Sequence, residues 1–470
     1  MTNPVEEDYA SKLRQMAASL DFARFRRLLD VPVAHGGEQA VEQGFLAACY
    51  ERMAREANRQ GEYFLAIDCV RHGFRCAAVA SYPTHELRVE EATALARAGA
   101  HEAAMARVKE FTREANASTR MFSTIARLHR DIALAAVARP ERLRSFLKAA
   151  SFAEKAARVV AREPVGDWAY PMGQQALYTF LSGCRGAARK LAATVQRRIQ
   201  KQPDAGSFWN QTNLAEMTLI QGDFARAGEH YAGSLAAARA AGFDATGDVA
   251  ANRKMARLLL EEWQLHGKDA DPAILDRWLE PETLVVFSGH MPDGSHLDGK
   301  QRSRRLAERL CRPDGPAAKA IHGWLQSVNA REGICASAPG GDILFAEQIL
   351  ALGGRLQLVE PFPRNVQRGV AEQCGRDWVA RLGRVWEAVH RRESVFCADE
   401  APTAMQCDYS NRVMLGSAIL RARRIDGRLR ALLLWDEDKG AAPQGGAGEF
   451  AALCVRAKVE AHVINPKSLR

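Results

Sequence analysis

Three kinds of pattern are missing from this 470-residue chain, and each absence excludes a class of protein. The ten cysteines, at 49, 69, 76, 184, 311, 335, 374, 397, 407 and 454, form no CxxC pair and no zinc spacing. Several, like Cys69 within Ile67–Val70, sit in apolar helical runs and read as small buried hydrophobes of a reducing cytoplasm. No apolar run approaches the roughly 20 residues of a membrane span. The first thirty residues, with Glu6, Glu7, Asp8, Lys12 and Arg14, hold no stretch fit for a signal peptide. No Walker loop, GxSxG elbow, HExxH or ordered Ser/His/Asp set occurs, so the familiar hydrolase and NTPase signatures are excluded. No metal is expected.

The net charge is +9, and residues 283–470, with 27 Lys and Arg against 21 Asp and Glu, hold +6 of it. That excess is diffuse. It lacks the dense basic block and interleaved aromatics of a nucleic-acid surface, so nucleic acid ranks last among partners. With 47% apolar and 26% charged residues, the chain is ordinary globular material for two to four domains.

Residues 1–270 are rich in Ala, Leu, Arg and Glu at helical spacing. One pattern recurs there. Ala54, Gly61, Tyr63, Ala66 and Val70 form a first copy, Ala92, Gly99, His101, Ala104 and Val108 a second, and Ala215, Gly222, Phe224, Ala227 and Tyr231 a third. Each describes a helical hairpin. Glycine ends the first helix in a left-handed turn, a ring residue starts the second, and small residues let the two approach. The copies resemble the tetratricopeptide repeat, so this half is expected to be an α-solenoid scaffold that binds a protein partner.

Residues 271–282 read as a short helix and linker, after which the pattern changes. Strands are expected at Thr283–Ser288, Gly333–Ser337, Arg355–Phe362, Ser394–Cys397, Leu429–Trp435 and Ala461–Ile464. Helices are expected at Ser303–Cys311, Ala317–Asn329, Ile343–Leu352, Arg376–Arg391, Asn411–Arg424 and Glu449–Lys458. The alternation predicts that residues 283–470 form a Rossmann-like, mostly parallel open sheet, making the whole chain an α-solenoid followed by an α/β domain.

Two glycine-bearing turns stand beside strands in this half. In the first, Ser337, Gly340, Gly341 and Asp342 lead into a helix, where small residues and the helix dipole favour a phosphate. In the second, Asp436 ends a strand and Gly445 and Gly446 precede the last helix, beyond a loop expected over the carboxyl edge of the sheet. Gly289 and His290 follow the first strand, with Asp293, His296 and Asp298 after them. That set has no further His pair to make a metal site, so it reads as a ligand-facing loop. Tyr409 and Asn411 are placed at a helix start, suited to stack on a base or bond a ribose, or to cap and pack the helix. Arg421, Arg423, Arg424, Arg428 and Arg430 cluster at that helix's end, where cations complement the dipole. Glu347 and Glu449 are the carboxylates positioned to act as general acid or base on such a ligand.

The stretch Ala336–Glu347, Gly353–Gly354 and Val359–Phe362 resembles the SLOG superfamily, which unites DNA-processing proteins with the Lonely-guy phosphoribohydrolases. Gly445–Gly448 is similar to the Lonely-guy glycine motif, but Glu449 stands where that motif has Thr and no Pro directly precedes the glycines. More narrowly, residues 20–470 resemble bacterial tetratricopeptide proteins related to the TRAF-binding region of MAP kinase kinase kinases. Ser207–Met217, Gly289–Met291 with Asp293, Tyr409, Asn411 and Trp435–Asp436 carry that likeness. The resemblance implies a Rossmann-like ligand domain behind a helical scaffold and does not imply catalysis. The expectation is a cytoplasmic sensor or adaptor for a nucleotide or NAD-derived ligand. The alternatives are a nucleotide N-glycosidic-bond hydrolase using Glu347 or Glu449, and a nucleic-acid binder.

Overall fold

The computed structural model describes residue 11 and residues 43–111, 118–162, 168–242, 245–292, 306–395, 403–437 and 445–469. The chain divides into two compact units, residues 1–280 and 281–470.

The first unit is an array of helical hairpins. Its helices are α1 (Gln43–Gln60), α2 (Tyr63–Ala80), α3 (His85–Arg97), α4 (His101–Phe111), α5 (Thr119–Ala135) and α6 (Arg139–Val160), followed by α7 (Ala169–Leu181), α8 (Arg185–Ile199), α9 (Phe208–Gln221), α10 (Phe224–Ala240), α11 (Thr246–Gln264) and α12 (Leu275–Trp278). Gly61, Gly99 and Gly222 take φ of 78°, 89° and 86° between paired helices, as the repeat pattern requires. Ala54, Ala66, Ala92, Ala104, Ala215 and Ala227 are fully buried where those helices meet.

A fourth copy lies at Ala176, Gly183 (φ 95°) and Ala188, joining α7 to α8. The sequence pattern missed it because Arg185 holds the place of the ring residue. The α5–α6 hairpin turns without glycine, through Ala136 and Ala138 in extended conformation, with Pro140 in the first turn of α6. Residues 272–278, expected as a short helix and linker, form a 3₁₀ turn and α12. The Trp278 indole lies on Gly228 so closely that a Cβ there would meet Nε1 at 2.3 Å. Leu275 and Leu279 join the same buried cluster as Tyr178, Phe180 and Tyr231.

The second unit is a six-stranded sheet, all parallel, in the order β4-β3-β2-β1-β5-β6. The strands are β1 (Thr283–Gly289), β2 (Ala330–Cys335), β3 (Arg355–Glu360), β4 (Arg391–Ser394), β5 (Arg428–Leu434) and β6 (Ala461–Ile464). The helices are α13 (Pro316–Ser327), α14 (Gly341–Ala351), α15 (Arg364–Cys374), α16 (Arg376–Ala388), α17 (Ala404–Arg424) and α18 (Ala447–Arg456). β1 is buried along almost its whole length, which explains its continuous apolar run. The Phe287 and Phe345 rings stack at 4.6 Å between β1 and α14.

Several expected boundaries move. β2 starts at Ala330 and stops at Cys335, so Ser337 lies in the following turn. Arg391 belongs to β4 rather than to a helix, and α15 was not anticipated. Only a 3₁₀ turn, Glu308–Leu310, occupies the described part of the helix expected at 303–311. α17 begins at Ala404 behind a capping box made by Thr403 and Gln406. Tyr409 and Asn411 therefore lie inside α17 and do not open it. Arg421 lies in the last turn of α17 with Arg423 and Arg424, as expected. It is buried and grips Glu332 at 3.2 Å, and Arg355 bridges Glu332 at 3.1 Å and Glu282 at 2.7 Å. Asp293, His296, Asp298, Cys397 and the loop 438–444 lie outside the described residues.

Candidate functional site

Strand order reverses between β1 and β5. From β1 the chain proceeds through β2, β3 and β4 on one side, then crosses to β5 on the other. Helix connections leaving in opposite directions open a crevice at the carboxyl ends of such a strand pair. Gly289 pairs with Leu434 there, so His290, one residue on, and Asp436, two residues on, meet at this edge.

His290 donates its backbone N–H to the Leu434 carbonyl at 3.0 Å. Its Nε2 lies 3.0 Å from Asp436 Oδ1, to which the Nε2–H tautomer donates, and 3.2 Å from the Asp436 backbone nitrogen. Both side chains are largely buried. Lys467, a mostly exposed side chain in the 3₁₀ turn after β6, puts Nζ 3.1 Å from Asp436 Oδ2. The Asp436 carboxylate thus bridges an imidazole and an ammonium. Lys467 escaped the sequence reading because no local motif marks it, and only the β5–β6 pairing brings it to Asp436.

The Gly340–Gly341 turn meets the same edge, but its glycines work differently from the expected phosphate cradle. Gly341 donates its N–H to the His290 carbonyl at 2.9 Å. A Cβ on Gly340 would lie 2.6 Å from that carbonyl oxygen, and one on Gly341 would lie 2.9 Å from Gly289 Cα. Gly340 also takes φ 99°. The room that small residues leave here is filled by the chain's own backbone, as the exit of β1 packs on the start of α14.

Asp342 follows from this packing. Its buried Oδ2 accepts the Ala338 N–H at 3.3 Å, and the Gly289 N–H also bonds the carboxyl. Burial pushes the carboxyl up to about 7, against the opposing pull of those two amides. The first turn of α14 therefore carries a carboxyl from within the chain. Ser337 donates to Gln367 Oε1, and Gln367 Nε2 donates to the Phe362 carbonyl at 2.9 Å, tying the turns after β2 and β3 together.

A second group forms around Gly445 (φ 79°). Asn411 Nδ2 donates to its carbonyl at 2.9 Å, and its N–H donates to Glu449 Oε2 at 2.6 Å. A Cβ there would lie 2.4 Å from Cys407 Cβ, so glycine lets this turn seat on α17. Gly446 is the extended N-cap of α18. Tyr409 is 55% exposed. Glu347 stands apart from both groups. Arg381 holds it through two bonds, at 2.8 and 2.5 Å, and also donates to the Cys311 carbonyl at 2.7 Å. Among the described residues, no three His, Cys, Asp or Glu side chains converge on a metal position. Nor is any helix long and apolar enough to cross a membrane.

No family model matches the sequence. No curated protein matches it either. Among solved structures, a mutant O-GlcNAc transferase of Thermobaculum terrenum aligns with 73% of this chain and 75% of its own, at 11% identity and a TM-score of 0.18. A likeness at that level carries no argument about this chain.

Proposed function

We propose that the α/β unit binds a nucleotide or NAD-derived phosphate ligand at the carboxyl edge of β1 and β5, and that the protein is a cytoplasmic sensor or adaptor. The helical unit would supply the surface for a protein partner. The observation that carries this reading is the coincidence of the strand-order reversal with His290, Asp436 and the exposed Lys467. An ammonium at that edge is a ready phosphate contact. Gly446, at the start of α18, would offer its helix terminus to the same ligand. The SLOG and TRAF-binding resemblances point the same way.

The reading favours binding without turnover. The Glu347 carboxylate is held by Arg381 and the Glu449 carboxylate by the Gly445 N–H, so each has structural work. The test is a thermal-shift and calorimetric screen with NAD, ADP-ribose, ATP and cyclic nucleotides. Binding to the native state raises Tm by mass action. One ligand class should raise it in the wild type and fail to do so in Lys467→Ala and Asp436→Asn. No shift with any of them ends the proposal. Product formation lost in Glu449→Gln or Glu347→Gln, with binding retained, would replace it by the hydrolase reading.

A further inference from the structure

The helical unit contains a cavity of about 510 Å³. Apart from Val160, its lining comes from α1, α3, α5, α7, α9 and α11, the first helix of each hairpin. Each of these helices packs on the next, and α11 packs back on α1. Asp248 of α11 lies 3.8 Å from Arg59 of α1 at that closure. The first helices thus form a ring around the cavity.

The inner face of this ring is polar by sequence. Ser123 and Arg127, Tyr170 and Gln174, and Thr212 and Glu216 are i, i+4 pairs, so each shares one face of its helix. Six arginines line the cavity, at 55, 59, 97, 120, 127 and 130, against the carboxylates Glu90, Glu216 and Asp248. Most of these arginines are engaged. Arg55 and Arg120 share Glu86 and Glu90, and Arg130 holds Asp131 at 2.7 Å. Arg97 donates to the Asn58 carbonyl at 2.6 Å.

Arg127 is different. Its Nη2 donates to Thr124 Oγ1 at 2.8 Å, its Nε is buried without a partner, and no carboxylate forms an ion pair with it among the described residues. Ser123 Oγ, Gln174 Oε1 and Thr212 Oγ1 are likewise buried without partners, on side chains 4%, 7% and 6% exposed. Folded proteins leave few such atoms unpaired, and four on the wall of one cavity call for a ligand. Burial first, and then the like charges of Arg55 and Arg127, lower the Arg120 guanidinium to about 9. The volume suits a small molecule, since such sites span roughly 300–1,000 Å³.

We propose that this cavity binds a small hydroxylated oxyanion, a phosphate ester or a hydroxycarboxylate. Arg127 Nε and the Ser123 and Thr212 hydroxyls donate to the anionic group, and Gln174 Oε1 accepts from a ligand hydroxyl. The site is separate from the one in the α/β unit and does not rest on it.

Calorimetry on the full chain tests this, with glucose 6-phosphate and citrate as probes. One probe should bind saturably, and both Arg127→Ala and Thr212→Val should weaken it by about tenfold or more. Arg75→Ala, on an exposed position of α2, should leave it unchanged. Binding of glucose 6-phosphate alone assigns a phosphate ester, and binding of citrate alone a hydroxycarboxylate. Binding of neither probe, or equal binding by wild type and both ring variants, overturns the proposal. If Arg127→Ala does not fold, Arg127→Lys and Thr212→Val carry the same comparison.

Discussion

In the α/β unit, Ser337, Asn411, His290 and Asp342 are buried and each has a partner. In the helical unit, Ser123, Gln174 and Thr212 are equally buried, yet each keeps an oxygen unpaired. The reason lies in the backbone. A helix satisfies its own N–H and C=O groups except at its ends, so side-chain polarity on its face is surplus to folding. Each strand of an open sheet ends in a turn whose backbone groups need partners. Asp342, Asn411 and Glu449 supply them for the Ala338, Gly289 and Gly445 backbones. Buried polarity thus does structural work at these turns of the α/β unit and, on our proposal, recognition at Ser123, Gln174 and Thr212 of the helical ring.

The largest effect expected from this contrast is at the Glu332 network. Glu332→Ala leaves Arg421 buried without its carboxylate and should destabilise the α/β unit by about 3 kcal/mol in urea unfolding. Gly340→Ala should cost about 2 kcal/mol in the same assay, because φ 99° and the His290 carbonyl at 2.6 Å both oppose a side chain.

A titration compares the units directly. The folded Asp342 carboxyl sits at about 7 against an ordinary 3.8, and Glu216 at about 7 against 4.5, both raised first by burial. As pH rises the unfolded chain loses these protons before the folded one does. The stability these groups favour is full below about pH 4 and is lost as pH climbs to about 7. Asp342→Asn and Glu216→Gln should each gain on the wild type across that window, by on the order of 2 kcal/mol. A difference independent of pH would show that the carboxyl stays ionised in the fold.

The smallest effects are the sharpest test of the contrast, because their signs differ. Ser337→Ala strands Gln367 Oε1 and should cost about 1 kcal/mol. Thr212→Val removes a buried hydroxyl without a partner and should stabilise the ligand-free helical unit by up to about 1 kcal/mol. Destabilisation by Thr212→Val would break the distinction between the two units.

The glycine, ring and alanine spacing made three hairpins legible, because left-handed backbone and close helix approach restrict which residues fit. The fourth was hidden when Arg185 replaced the ring, although Gly183 and Ala176 kept the geometry. The candidate site was half legible. Gly289, His290, Asp436 and the two glycine turns were named from local pattern, and β1 and β5 bring the first three to one edge. At Gly340 and Gly341 the chain's own backbone lies where a Cβ would stand, because a glycine's need for space does not say what fills it.

By itself the sequence determined the helical half, the alternation of strands and helices after residue 282, and the glycines at the turns. Each of these follows from local periodicity or from backbone conformations open to few residues. Tertiary structure alone decided the strand order that sets His290 beside Asp436 and Lys467, the Glu332–Arg421 pair, and the closure of α11 on α1 around Arg127. These are contacts between segments far apart in the chain. They are set by which apolar faces bury one another, and no local spacing encodes that choice.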